Sequence, residues 1–153
     1  MIVVDANVAV KWYVPEPGCD DAKLLLMSNE AIVAPALIRL EVLAAILSGI
    51  RKKKATSEEA IQRCQSWLRH LDDRVVLLFD EGDLRPDAIR LASQSEHHLY
   101  DCFYLALCKK LDATLFTYDM KLSQKAKQSL VKCELMVEPE RNQRQTSKFF
   151  DDD

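Results

Sequence analysis

Four short apolar runs, Ile2-Val3-Val4, Ala31-Ile32-Val33-Ala34, Val75-Val76-Leu77-Leu78-Phe79 and Thr114-Leu115-Phe116-Thr117, are separated by stretches with helical periodicity. This alternation constrains the chain more than anything else in it. Runs this short, mostly without polar alternation, suit strands buried on both faces, as a parallel sheet covered by helices requires. Helical patterns fill the intervals at about 20–28, 37–47, 56–71, 100–111 and 120–130. Pro86 marks another helix near its first position. Gly49 is placed to end the 37–47 helix, and Thr56-Ser57-Glu58-Glu59 has capping-box spacing at the start of the next. The 133–137 segment reads as a last edge strand. The predicted fold is α/β: a three-layer α/β/α sandwich with a central parallel sheet of four to five strands. It occupies 1–138 as one domain, and the polar stretch 139–153, with Phe149-Phe150 near its end, reads as a tail.

Composition removes several chemistries. Three glycines, Gly18, Gly49 and Gly82, cannot build a glycine-rich phosphate cradle. Cys19, Cys64, Cys102, Cys108 and Cys133 include no Cys-x-x-Cys pair and have no zinc-type spacing with His70, His97 or His98. The cysteine pattern and a start without a basic n-region or long apolar stretch predict a cytoplasmic protein without disulfides, and no run is long enough to span a membrane. The formal charge of −3, from 24 acids and 21 bases, argues by itself against a nucleic-acid partner.

The informative signal is where the acids stand. Asp5 directly follows a buried strand, at the carboxyl edge where open α/β sheets bind ligands. Asp119 lies two residues beyond Thr117 at the corresponding edge of another strand. Glu41 falls in a helix whose Leu37, Leu40, Ala44 and Ser48 share one face. Asp101 opens a helix apolar on most sides. Unpaired carboxylates in such places cost several kcal/mol or lose their charge, and a divalent cation with oxygen preference would compensate them. Each acid also has an ordinary reading: Asp101 and Asp119 as helix N-caps, Asp5 as a turn residue, Glu41 as a partner of Arg39. His97-His98 reads as a solvated helix start, with a substrate contact as the lesser alternative.

At this point the chain resembles the PIN-domain nucleases, in particular the VapC-like toxins of toxin–antitoxin pairs. Val-Val-Asp5-Ala-Asn7 resembles the family's first motif, Pro35-Ala-Leu-Ile-Arg-Leu-Glu41-Val the second, Leu99-Tyr-Asp101-Cys-Phe-Tyr104 the third and Leu115-Phe-Thr117-Tyr-Asp119 the fourth. The motifs occur in order and cover the chain to about residue 137. The resemblance implies a PIN-like fold, cleavage of RNA dependent on Mg²⁺ or Mn²⁺, an antitoxin partner and a homodimer. It makes Asp5, Glu41, Asp101 and Asp119 the catalytic and metal-site acids, with Thr117 and Asn7 supporting them. Asn7 departs from the Ser or Thr frequent at its position in the family, but its amide can still donate and accept.

Lys11, Arg39 and Lys121, each near one of these acids, are candidate phosphate contacts. Arg51-Lys52-Lys53-Lys54 is the largest basic run; a solvated link between helices and an RNA-guiding patch both suit it. Two further functions are weighed. A non-catalytic PIN-fold interaction module would have little need of four acids. An aspartyl-phosphate phosphatase would want a second Asp where Asn7 stands.

Overall fold

The computed structural model describes residues 1–95 and 97–139. Its order is β1 (Ile2–Val4), α1 (Ala6–Val10), α2 (Cys19–Leu26), β2 (Ile32–Pro35), α3 (Ile38–Arg51), α4 (Ser57–Asp72), β3 (Val76–Phe79), α5 (Glu81–Ser95), α6 (Leu99–Leu111), β4 (Thr114–Thr117), α7 (Met120–Gln128) and β5 (Cys133–Leu135). The five strands form one sheet, ordered β3-β2-β1-β4-β5, with every pair parallel. The chain winds from β1 outward to β3, then crosses back to β4 on the other side of β1. Right-handed crossovers in opposite directions must lie on opposite faces, which produces the three-layer α/β/α sandwich. Helix α6 packs on β1, β2 and β4, and residues Cys102 to Cys108 are all buried. No helix among the described residues is long and apolar enough to cross a membrane.

The reversal between β1 and β4 is a topological switch point, where neighbouring connections leave in opposite directions and open a crevice. Asp5 and Thr117 stand at the two strand ends that flank it. The backbone N–H of Asp5 still bonds the Phe116 carbonyl at 3.0 Å, so the β1–β4 ladder holds up to the first acid.

Several local expectations need correction. Asp5 does not close a turn: a short helix, α1, follows it, because the Asp5 carboxylate accepts the Ala6 N–H and caps it. Pro86 lies in the second turn of α5, not at its start. The helix opens earlier because Asp80 Oδ1 accepts the Gly82 N–H at 2.7 Å. Helix α3 runs through Gly49, and Lys53 (φ 54°) makes the left-handed turn after it. The Lys53 and Lys54 N–H groups close the helix on the Ile50 and Gly49 carbonyls. Arg74, Asp112 and Leu130 also take positive φ at helix ends, so in this glycine-poor chain ordinary residues make the stops. The buried stripe of α3 is Ile38, Val42 and Ile46. Leu40, expected on that stripe, is 72% exposed. The Thr56–Glu59 capping box forms as expected, with both reciprocal bonds. All five cysteines are free. Phe149 and Phe150 lie outside the described residues.

Candidate active site at the edge of β1 and β4

Thr117 is the hub of the site. It is fully buried, and its Oγ1 has three partners: Asp5 Oδ2 at 2.7 Å, Asn7 Nδ2 at 3.2 Å and the Asp119 N–H at 2.9 Å. The last two are donors. A hydroxyl has one proton to give and two lone pairs to accept with, so the proton must go to Asp5. Asn7 is oriented by its other end, where Oδ1 accepts the Tyr118 N–H at 3.1 Å. Asn7 therefore ties α1 to the end of β4, and the departure from Ser or Thr leaves that tie intact.

Part of Asp5 still touches solvent, yet its carboxyl is pushed up to about 7. Burial is the largest cause; the bonds from Thr117 and Ala6 lower it, and repulsion by Glu41 and Asp101 raises it further. Glu41, one helical turn from Ile38 and beside the buried stripe, accepts the Tyr104 hydroxyl on Oε2 at 2.5 Å. Its carboxyl is also raised, chiefly by burial and then by Asp101, against the lowering effect of Tyr104. Burial thus outweighs mutual repulsion as the cause of the raised carboxyls.

Asp101 is half-buried in the first turn of α6, where His98 holds the N-cap position. It is not a cap. Its Oδ2 instead pairs with Lys125 Nζ of α7 at 2.7 Å. Asp119 differs from the other three: it is exposed, and its Oδ1 accepts the Lys121 and Leu122 N–H groups as the N-cap of α7. The fold thus brings Asp5, Glu41 and Asp101 within electrostatic reach of one another and joins Asp119 to them through Thr117.

Three residues near the acids were given no site role by the sequence reading. Tyr104 reads as core and is core, but its hydroxyl reaches Glu41. Lys125 carries no local signal, because only the packing of α7 beside α6 brings it to Asp101. His97 is partly buried instead of solvated, with an Nε2 that has no partner among the described residues. Burial lowers its pKa, Lys125 lowers it further, and Asp101 opposes.

The basic candidates separate. Lys11 is 3% exposed, and its ammonium group reaches Glu16 Oε1 at 3.1 Å, the Pro17 carbonyl at 2.8 Å and Glu138 Oε1 at 2.7 Å. It also lies 4.7 Å from the centre of the Tyr118 ring. All three N–H groups are committed, so Lys11 is a structural clasp, not a phosphate contact. Arg39 and Lys121 are exposed, with Arg39 Nε bonded to the Ala36 carbonyl of its own segment.

Residues 2–128 match the PIN domain family. The chain belongs to that family. Ribonuclease VapC3 of Pyrobaculum aerophilum is 24% identical to it over 124 residues, which cover 81% of this chain and 93% of the relative. The crystal structure of Mycobacterium tuberculosis VapC20, described as a sarcin-ricin loop cleaving toxin, superposes with a TM-score of 0.65 at 16% identity. That match covers 91% of this chain and 100% of the other. The fold puts the four acids at the carboxyl edge of its sheet, Glu41 and Asp101 on helices and Asp5 and Asp119 just past the ends of β1 and β4.

The donor chemistry suits a hard divalent cation, since every candidate ligand is a carboxylate oxygen. Among the described residues no three His, Cys, Asp or Glu side chains close into a cage. Mg²⁺ is commonly held by one or two carboxylates with several waters retained, and an open cluster of acids fits that mode.

Proposed function

We propose that this PIN-domain protein is an endoribonuclease that uses Mg²⁺ or Mn²⁺ to hydrolyse RNA phosphodiester bonds, and that it is the toxin of a toxin–antitoxin pair. The observation that carries the reading is the gathering of Asp5, Glu41 and Asp101 at the β1–β4 switch point, where burial penalises the charge of Asp5 and Glu41. A fold does not keep such acids together for stability. The ribonuclease and toxin descriptions of the two relatives support the same reading.

In this proposal Asp5, Glu41 and Asp101 hold the cation directly or through water, and Asp119 completes the site. The bound ion supplies a more acidic water and neutralises charge on the scissile phosphate. The chain's own residues provide the geometry. Thr117 and the Ala6 N–H fix the two oxygens of Asp5, while Tyr104 holds Glu41 by Oε2. Lys125 balances Asp101 when no cation is present. Glu41 or Asp101 orients the attacking water and takes its proton. An antitoxin would silence the protein in the cell, a homodimer would be its working form, and five free thiols fit a cytoplasmic location.

The test is cleavage of a panel of structured RNAs by purified protein freed of any bound antitoxin. Cleavage with Mn²⁺ that stops with chelator and in folded Asp5→Asn and Asp101→Asn variants supports the reading. Intact RNA in the presence of wild-type protein and Mn²⁺ overturns it.

A further inference from the structure

The basic run at Arg51–Lys54 has no part in the acid cluster, yet the fold does not leave it as a simple link. A groove of about 460 Å³ begins at Ala6 and Asn7, beside the hub threonine, and passes Ile46 and Gly49 of α3. Its far wall carries Lys52, Lys54 and Arg63, whereas Arg51 and Lys53 are not among its lining. Among the described residues, none of these three groove bases forms an ion pair, while Lys11 on the near wall is neutralised by Glu16 and Glu138. Lys53, between the two groove lysines, takes a left-handed backbone conformation (φ 54°).

Glu41 and Lys52 mark the two ends of one rigid helix. Eleven residues at about 1.5 Å each set them about 16 Å apart along its axis. A groove whose near end is lined by Ala6 and Asn7, the two residues after Asp5, and whose far wall carries Lys52, Lys54 and Arg63 has the charge order an extended nucleic-acid strand needs: a cation-dependent seat beside its near end for one phosphate, then ammonium and guanidinium groups for the following ones.

We infer that this groove is the track for single-stranded RNA on one side of the scissile phosphate, with Lys52, Lys54 and Arg63 as its backbone contacts. The inference rests on the nuclease reading and adds to it the path of the substrate. An acidic peptide would match the far wall as well, and the experiment below separates it from RNA. Contacts of this kind carry affinity and salt dependence, not sequence preference.

The experiment compares two charge-matched pairs from the same tetrapeptide. Lys52→Gln/Lys54→Gln removes groove bases; Arg51→Gln/Lys53→Gln removes the same charge outside it. Binding of a fluorescein-labelled 12-nucleotide RNA is followed by anisotropy in the Asp5→Asn background with Mg²⁺, and cleavage of the same RNA in the native background. The groove pair should weaken binding about tenfold, flatten the log–log salt slope by about 1.4, and raise KM with kcat within about twofold. The outer pair should change each by less than about twofold. Equal losses from both pairs, or none from either, overturn the track while leaving cleavage by wild-type protein to support the nuclease. If wild-type protein neither cleaves nor binds RNA, the nuclease reading fails and the track with it. Loss of a labelled 12-residue poly-glutamate from the groove pair, with RNA binding unchanged, also overturns the track, in favour of an acidic peptide.

Discussion

Thr117 donates its hydroxyl proton to Asp5 Oδ2 at 2.7 Å, because its other two partners, Asn7 Nδ2 and the Asp119 N–H, can only donate. One buried oxygen therefore sets the direction of the first acid, ties α1 to β4 and starts the turn that caps α7. Thr117→Val keeps the shape and removes all three bonds. It should cost about 1–2 kcal/mol in urea unfolding, since two part-buried donors lose their acceptor, and lower RNA cleavage at least about tenfold. Thr117→Ser should recover most of both.

Asp5 supplies a pH prediction. Its folded carboxyl titrates near 7 against an ordinary 3.8, so between those values the folded state holds a proton that the unfolded chain has released. Stability without metal should fall as pH rises through that window and stay low above it. Asp5→Asn removes the burden but can satisfy only one of the Thr117 and Ala6 bonds as an acceptor. The net expectation at pH 8 is a gain of roughly 1–3 kcal/mol over wild type, closing towards pH 4. Thermal melts in chelator across pH check it. A metal-free variant less stable than wild type at pH 8 would sink the assignment.

Lys125 competes with any cation for Asp101. Lys125→Met should lower metal-free stability by about 1 kcal/mol, because the pair is only partly exposed. The same change should tighten Mn²⁺ binding several-fold in titration calorimetry. Weaker Mn²⁺ binding would show instead that Lys125 props Asp101 in its liganding position.

Lys11 should act on the fold alone. Lys11→Met leaves Glu16 and Glu138 without their common partner and should cost about 1–3 kcal/mol. Hydrogen exchange at residues 135–138 should rise with it. The salt slope of RNA binding should not change, which separates a clasp from a phosphate contact.

Leu130 is 92% exposed and sits at φ 59° after α7. Glycine takes that conformation without the Cβ penalty, so Leu130→Gly should stabilise the protein by about 0.5–1 kcal/mol in urea unfolding. A loss would mean that the exposed leucine packs in a way its surroundings do not suggest.

The layering and the acids were legible in the sequence because both are local statements. Strands two faces deep in a core must be short and apolar, and Asp5, Glu41 and Asp101 stood out against such surroundings. Helix stops were less legible, since Lys53, Arg74 and Leu130 take a conformation that local preference assigns to glycine. The stripe of α3 was misread because leucine is equally compatible with a buried face and, at Leu40, with an exposed one.

By itself the sequence determined an α/β sandwich with carboxylates at the ends of its strands, since burial and periodicity act along the chain. Only the tertiary structure decided which groups meet. Lys125 reaches Asp101 across 24 positions, Tyr104 reaches Glu41 across 63 and Thr117 reaches Asp5 across 112. Lys11, the first residue after α1, went to a clasp instead of a phosphate. Hydrogen bonds and ion pairs are set by distance in space, and that distance is fixed by how α6, α7 and β4 pack around β1.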